Sequence, residues 1–241
     1  MNVAVILAGG VGKRMGAPIP KQFIEVNGKP VMVYTLEAFE RHPLIDRVEV
    51  VCVDGYQDQI WAYKEQYGLR KLEYVTTGGD NCQGSIRNGL YNLEGVCSDD
   101  DVVIIHMAAN PMVGEDIITD CIDVTKKYGN AASADPVLAY SFCVADEISA
   151  DSYVAREKIK LLTMPLGYRY GEVLQVYKQA YAEGKGIYGD VYANTLYVDY
   201  GKKVYFSKAS RRNFKVTTQE DIDLFKAYLL LDAEGKEKEN G

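Results

Sequence analysis

Residues 1–16 read MNVAVILAGGVGKRMG, and residues 20–23 read PKQF. The apolar run at residues 3–7 predicts a buried strand, and Gly9 and Gly10 directly after it predict a loop. Glycine has no Cβ, so backbone N–H groups in such a loop can crowd around an anion. The opening therefore predicts a strand that ends in an anion-binding loop.

The rest of the chain alternates short apolar runs with amphipathic segments. Strands are predicted at residues 3–7, 48–53, 72–75, 102–105 and 204–206, and helices at residues 31–39, 57–67, 85–93, 115–128, 171–181 and 219–231. This alternation predicts an α/β fold, a single Rossmann-like domain over residues 1–231 with a mostly parallel twisted sheet flanked by helices. The rhythm changes at residues 137–163, which predicts a protruding β-arm. The charged residues 232–241 predict a disordered tail.

The composition excludes several classes of protein. The 241 residues carry 27 Lys and Arg against 34 Asp and Glu, a net charge of −7, which argues against a nucleic-acid or anionic-membrane partner. No apolar run is long enough to span a bilayer, and no signal peptide is predicted. The five cysteines lack a CxxC pair and there are only two histidines, which argues against a disulfide framework or a zinc site. We expect a cytoplasmic protein.

Basic residues surround the glycine loop. Lys13, Arg14 and Lys21 lie close to it in the sequence. Arginine can hold two phosphate oxygens at once, and lysine acts as a point charge. The loop does not match a Walker sequence, and Met15 breaks the dinucleotide fingerprint. The pattern favours another kind of phosphate-binding site.

Four motifs in order resemble one known family. Residues 7–23 fill every position of LAGGxGxRMGxxxPKQF, and residues 213–221 match N-[IL]-K-[VI]-T-x-x-E-D closely. Residues 78–86 and 106–111 match GGxxRxxS and HDAARP in part. The chain resembles the sugar-nucleotide-transferase-like cytidylyltransferases, which include the enzymes for 2-C-methylerythritol 4-phosphate and ribitol 5-phosphate. The resemblance covers nearly the whole chain.

The resemblance implies a reaction and a set of residues. A phosphorylated polyol would attack the α-phosphate of CTP, giving a CDP-polyol and pyrophosphate, with Mg²⁺ as cofactor. The catalytic residues would be Arg14, Lys21 and Lys215. Contacts to CTP would come from Ala8, Gly9, Gly10, Gly12, Lys13, Gly79, Asp80 and Ser85. No metal ligand is assigned, and the arm implies a homodimer.

Departures from the family pattern concentrate on the acceptor side. Met107 and Asn110 replace the aspartate and arginine of HDAARP, and Cys82 replaces the arginine of GGxxRxxS. The TPQ triplet reads Met-Pro-Leu at residues 164–166, and the TD[ED]AS segment is reduced to residues 189–193. We therefore expect a ribitol or glycerol phosphate acceptor, with Arg211 and Arg212 as candidate contacts.

Three alternatives remain open. The acceptor could be methylerythritol phosphate of isoprenoid synthesis. The protein could be a related nucleotidyltransferase with another base or a non-polyol phosphate. It could also be a non-catalytic nucleotide-binding homologue, since Met107 lacks the charge of the family's aspartate.

Overall fold

The structure is a computed structural model that describes residues 1–10, 19–185 and 193–239, without the side chains of residues 235–239. Its strands are β1 (Asn2–Ala8), β2 (Glu25–Val26), β3 (Lys29–Pro30), β4 (Arg47–Cys52), β5 (Leu72–Thr77), β6 (Val102–Met107), β7 (Asn130–Pro136), β8 (Ser141–Val144), β9 (Ala150–Val154), β10 (Lys160–Arg169) and β11 (Phe206–Ser207). Its helices are α1 (Val31–Arg41), α2 (Gln57–Tyr67), α3 (Cys82–Asn92), α4 (Glu115–Tyr128), α5 (Tyr170–Ala182), α6 (Ala193–Asp199) and α7 (Gln219–Glu239).

Seven strands form the central sheet in the order β11-β7-β10-β6-β1-β4-β5. Strand β1 pairs in parallel with β4 and β6, whereas β10 is antiparallel to both of its neighbours. The predicted α/β class with a mostly parallel sheet is therefore confirmed. The antiparallel strand β10 is the one departure from parallel pairing between neighbours in this sheet.

Strand β1 is buried on both faces because every residue in it is apolar except Asn2. Ala4 and Ile6 belong to one core cluster with residues of α1, α2 and α4, whereas Val3 and Val5 belong to a second cluster with residues of α3, α5 and α6. Alternate side chains of a strand point to opposite faces, so a continuous apolar run serves two helical layers. This makes β1 the centre of a three-layer domain.

The predicted β-arm is present. Strands β8 and β9 form a separate antiparallel sheet outside the main one. Its aromatic side chains are exposed, with 86% of Tyr140, 65% of Phe142 and 74% of Tyr153 open to solvent. The first residues of β10 pair with the end of β7 and return the chain to the main sheet.

The chain after residue 231 differs from the prediction. Residues 232–239 continue helix α7 to Glu239, whereas residues 232–241 were predicted to be disordered. Alanine, glutamate and lysine favour helix, and Arg212 donates to Asp232 over 2.7 Å at the start of this stretch. Charge alone therefore gave the wrong state for residues 232–239.

Within the described ranges, no helix combines the length and apolarity that a membrane crossing needs.

The strand order decides where a ligand can bind. From β1 the chain builds β4 and β5 on one side, and β6 and β7 then follow on the other side of β1. In open α/β sheets, such a reversal leaves a crevice at the carboxyl ends of the strands. Strands β1, β5 and β6 end at that edge, so the loops that follow them begin there.

Candidate active site

The first cavity lies at this crevice and has a volume of about 240 Å³. Its lining comes from the loop after β1, the start of α3, the end of β6 and the segment before α7. The predicted residues that meet here are Gly9, Gly10, Gly79, Asp80, Ser85 and Lys215. Residues more than 200 positions apart in sequence are thus brought into one cavity. Their roles in nucleotide binding stay predictions.

Glycines are required where the loop after β5 passes the start of α3. A Cβ added to Gly79 would lie 2.5 Å from the carbonyl carbon of Gly84, and one added to Gly9 would lie 3.0 Å from Ser85 Oγ. Ser85 Oγ accepts from the Gly79 N–H at 3.1 Å and donates to the Asn81 carbonyl oxygen at 3.0 Å. Ser85 therefore ties the loop after β5 to the start of α3, and the Gly9 backbone passes close to its side chain.

Helix α3 points its N-terminus into the first cavity. The helix was predicted to begin at residue 85, but it begins at Cys82. The earlier start follows from Asn81, which caps the helix by accepting from the Gly84 N–H at 2.8 Å. Free N–H groups and the helix dipole make this end attractive to an anion. The first turn lines the cavity with Asn81, Cys82 and Ser85.

Gln22 holds the loop after β1, a role that sequence reasoning missed. Its amide donates to the carbonyl oxygens of Ala8 at 2.6 Å and Gly10 at 3.0 Å. Gln22 is buried, and Lys21 precedes it in a single 3₁₀ turn. The PKQF motif contains Gln22, but the role predicted from that motif rests on the charge of Lys21. Ala8 is buried at the end of β1 in the same core cluster as residues of α1, and its carbonyl oxygen accepts one of the two Gln22 bonds.

Some predicted residues lie outside the described ranges. These are Gly12, Lys13 and Arg14, which fall in residues 11–18, and most of the segment at residues 189–193.

A second cavity of about 340 Å³ adjoins the first. Both cavities are lined by Met107 and Lys215. The second one also takes in Asn110, the middle of β10, the start of α6 and residues 213–214. Lys215 therefore stands at the junction of two binding spaces, where its charge can act on a group in either one.

The segment that carries Lys215 is anchored directly after that residue. The Val216 N–H donates to the Ala109 carbonyl oxygen at 2.8 Å, which ties the segment to the loop after β6. Asp221 accepts from the Thr218 N–H at 2.9 Å, and Thr218 Oγ1 accepts from the Asp221 N–H at 3.2 Å. This is a capping box at the start of α7, with Thr218 as the cap residue. The exposed Lys215 thus projects from a fixed backbone.

Cys82 and His106 are both uncharged here. Burial raises the pKa of the Cys82 thiol, and the charge of Lys215 opposes this only in part. Burial lowers the pKa of His106 to about 4, and its Nε2 lies 3.0 Å from the Asn110 carbonyl oxygen. A protonated thiol and a neutral imidazole fit structural roles, because a thiol nucleophile needs a thiolate.

Arg212 is not in this site, contrary to the expectation for acceptor contacts. It pairs with Asp232 at 2.7 Å and lies over the Tyr228 ring, beside a different groove. Exposed Arg211 does not line the second cavity either. Helix α7 extends far enough to supply Asp232, which the sequence pattern did not predict.

Metal ligands are sparse around the first cavity. Asp80 is the one carboxylate among its described lining residues. The part of the chain that the structure describes contains no cluster of three His, Cys, Asp or Glu side chains that could hold a metal ion.

Comparisons with known proteins agree with this fold. Residues 2–231 match the family model described as 2-C-methyl-D-erythritol 4-phosphate cytidylyltransferase, or IspD. The ribitol-5-phosphate cytidylyltransferase of Lacticaseibacillus paracasei is 42% identical over 229 residues, covering 95% of this chain and 98% of that protein. The 2-C-methyl-D-erythritol 4-phosphate cytidylyltransferase of Clostridium botulinum is 33% identical over 224 residues, covering 92% and 95%.

A solved structure shows the same fold. The 4-diphosphocytidyl-2C-methyl-D-erythritol synthase from Anaerococcus prevotii has a TM-score of 0.79 at 22% identity, covering 95% of this chain and 98% of that one. This solved structure supports the fold alone, whereas the family model and the two relatives also show the family. The chain belongs to the 2-C-methyl-D-erythritol 4-phosphate cytidylyltransferase (IspD) family of nucleotidyltransferases.

Proposed function

We propose that the protein joins CTP to a polyol phosphate of the ribitol or glycerol type, giving a CDP-polyol and pyrophosphate. The observation that carries the proposal is the pair of adjoining cavities with Lys215 at their junction. The glycine-lined first cavity suits the nucleotide, and the second suits the acceptor. The 42% identical relative, named for ribitol 5-phosphate, supports this choice of acceptor.

The reaction needs alignment and positive charge more than proton transfer. An acceptor phosphate oxygen, largely ionised at pH 7, forms a bond to the α-phosphorus of CTP. The bond from that phosphorus to the bridging oxygen of the β-phosphate breaks, and pyrophosphate leaves. No general base is required, so catalysis rests on holding two anions in line. Lys215 stabilises charge at the α-phosphate, and we assign Arg14 and Lys21 to the triphosphate.

We assign Mg²⁺ as the cofactor. The described lining offers only Asp80 as a carboxylate, which fits an ion held mainly by phosphate oxygens and water. Bound Mg²⁺ would neutralise charge on the triphosphate.

The arm suits a homodimer, because its exposed Tyr140, Phe142 and Tyr153 form an apolar surface of the kind that marks interfaces. A cytoplasmic location is supported by five free cysteines.

A second acceptor has support of its own. The family model and the Clostridium botulinum relatives are named for 2-C-methyl-D-erythritol 4-phosphate. Against it stand Met107 and Asn110, which put uncharged side chains in the wall of the second cavity.

Pyrophosphate release tests these assignments. The purified protein is incubated with Mg²⁺, each nucleoside triphosphate in turn, and ribitol 5-phosphate, glycerol 3-phosphate or methylerythritol 4-phosphate. We expect release with CTP and a ribitol or glycerol phosphate. A faster reaction with UTP would refute the base assignment, and a preference for methylerythritol 4-phosphate would refute the acceptor. CTP binding with no release for any acceptor would indicate a non-catalytic homologue.

A further inference from the structure

Two buried asparagines stand in the wall of the second cavity. Asn110 is 5% exposed and Asn213 is 2% exposed. Asn110 lies in the loop after β6, and Asn213 lies two residues before Lys215. They come from parts of the chain about a hundred residues apart, and both contribute to the lining of the cavity that Lys215 also lines.

Each of these amides is only half satisfied. Asn110 Nδ2 donates to the Asn213 carbonyl oxygen at 3.2 Å, and Asn213 Nδ2 donates to the Met164 carbonyl oxygen at 2.7 Å. Among the described residues, neither Oδ1 atom has a hydrogen-bond partner. The orientation of each amide is fixed, because the reverse orientation would place two acceptor oxygens against each other.

Unpaired buried acceptors are unfavourable, and few are found in native proteins. The missing partner must be a donor, so a phosphate oxygen is excluded at this position and a hydroxyl group fits. A positive charge for a phosphate is available in the same cavity, at Lys215. Around the asparagines the wall is apolar or neutral, with Leu162, Leu166 and Phe214. The cavity therefore suits a molecule with an anionic head and a hydroxylated tail.

We propose that Asn110 and Asn213 accept hydrogen bonds from hydroxyl groups of the acceptor and so determine its specificity. This inference rests on the proposed function and adds the feature of the acceptor that is recognised. The phosphate of the acceptor lies beside Lys215, and its polyol chain extends toward the two asparagines. A site whose amide oxygens accept hydrogen bonds from the substrate's hydroxyl groups rejects an analogue that lacks a hydroxyl, because the amide oxygen of the protein then stays unpaired.

Deoxy analogues test the proposal on the unaltered protein. The ratio of kcat/KM is measured for ribitol 5-phosphate against each monodeoxy ribitol 5-phosphate, and for glycerol 3-phosphate against propanediol phosphates. We expect at least one missing hydroxyl to lower kcat/KM roughly 10- to 100-fold. Equal rates for every analogue would overturn the proposal.

Alanine variants test whether Asn110 and Asn213 cause the discrimination against deoxy analogues. In Asn110→Ala and Asn213→Ala, we expect kcat/KM for the full polyol phosphate to exceed that for the deoxy analogue by much less than in the unaltered protein. The KM for CTP should stay within about twofold. Asn130→Ala is the matched control, since Asn130 is also a buried asparagine but its amide has partners on both atoms, at Lys203 and Tyr205. It can lower stability and should leave the ratio unchanged.

Other outcomes separate this inference from the proposed function. Turnover of polyol phosphates with the same ratio in all variants would overturn the role of the asparagines alone. Absence of pyrophosphate release with every polyol phosphate would overturn the proposed function and this inference with it. If an alanine variant fails to fold, the analogue series on the unaltered protein still decides the question.

Discussion

Glu49 carries a buried carboxyl group in the middle of β4, and replacing it with glutamine should stabilise the protein at neutral pH. The side chain is 0% exposed. Its Oε1 accepts from Asn92 Nδ2 at 2.9 Å, and its Oε2 has no partner among the described residues. Burial raises the pKa of Glu49 from its ordinary value of 4.5 to about 8, although the Asn92 bond opposes the shift. Burial also raises the pKa of neighbouring Cys97 to about 11, so this thiol stays neutral as well.

The sign and size of the effect follow from proton linkage. Between pH 4.5 and pH 8 the folded protein binds a proton at Glu49 that the unfolded chain has released. The free energy of unfolding therefore falls as the pH rises through this window. At pH 7 the gap of 2.5 pH units corresponds to about 3 kcal/mol, and above pH 8 the full shift corresponds to about 5 kcal/mol. Glutamine is neutral in both states and removes this dependence.

Urea unfolding from pH 4.5 to pH 8.5 measures the difference between the unaltered protein and Glu49→Gln. We expect no gain from the variant near pH 4.5 and a gain of about 3 kcal/mol at pH 7. Glu65→Gln is the control, because Glu65 is exposed on α2 and its substitution should leave the pH dependence intact. Parallel curves for the unaltered protein and Glu49→Gln would refute the reasoning.

Three further predictions concern the site and the arm. Lys215→Ala should lower kcat/KM about 100-fold or more without lowering the melting temperature, whereas exposed Lys226→Ala should change neither; an equal loss in both variants would contradict the role of Lys215. Gly79→Ala should lower the free energy of unfolding by about 1–3 kcal/mol and weaken CTP binding in calorimetry, because its Cβ would meet the backbone of Gly84. A Cβ added to Gly10 would meet no atom of the described residues within 4 Å, so Gly10→Ala should keep its unfolding midpoint, and equal losses in both variants would count against the steric argument. Replacing Tyr140 and Phe142 together by serine should shift the protein to monomer in sedimentation experiments, with Trp61→Ser on α2 as an exposed aromatic control; a monomeric unaltered protein would refute the arm's role.

The sequence predicted the features whose causes are local. The apolar run of β1 and the glycines after it each depend on residues a few positions apart. The alternation of strands and helices was likewise enough to predict the fold class. Where local pattern was ambiguous, the prediction failed, as at residues 232–239, where charged residues are also good helix formers.

The site itself depended on tertiary structure. Lys215 lines the same cavity as Gly9 and Gly79 only because the sheet order brings loops from distant strands to one edge. The pairing of Arg212 with Asp232 and the two half-satisfied amides of Asn110 and Asn213 depend on the same long-range contacts. Sequence by itself determined which residue types were present to bind phosphates and a polyol. The tertiary structure decided which of them share a cavity, because hydrogen bonding and burial depend on distances that sequence spacing does not contain.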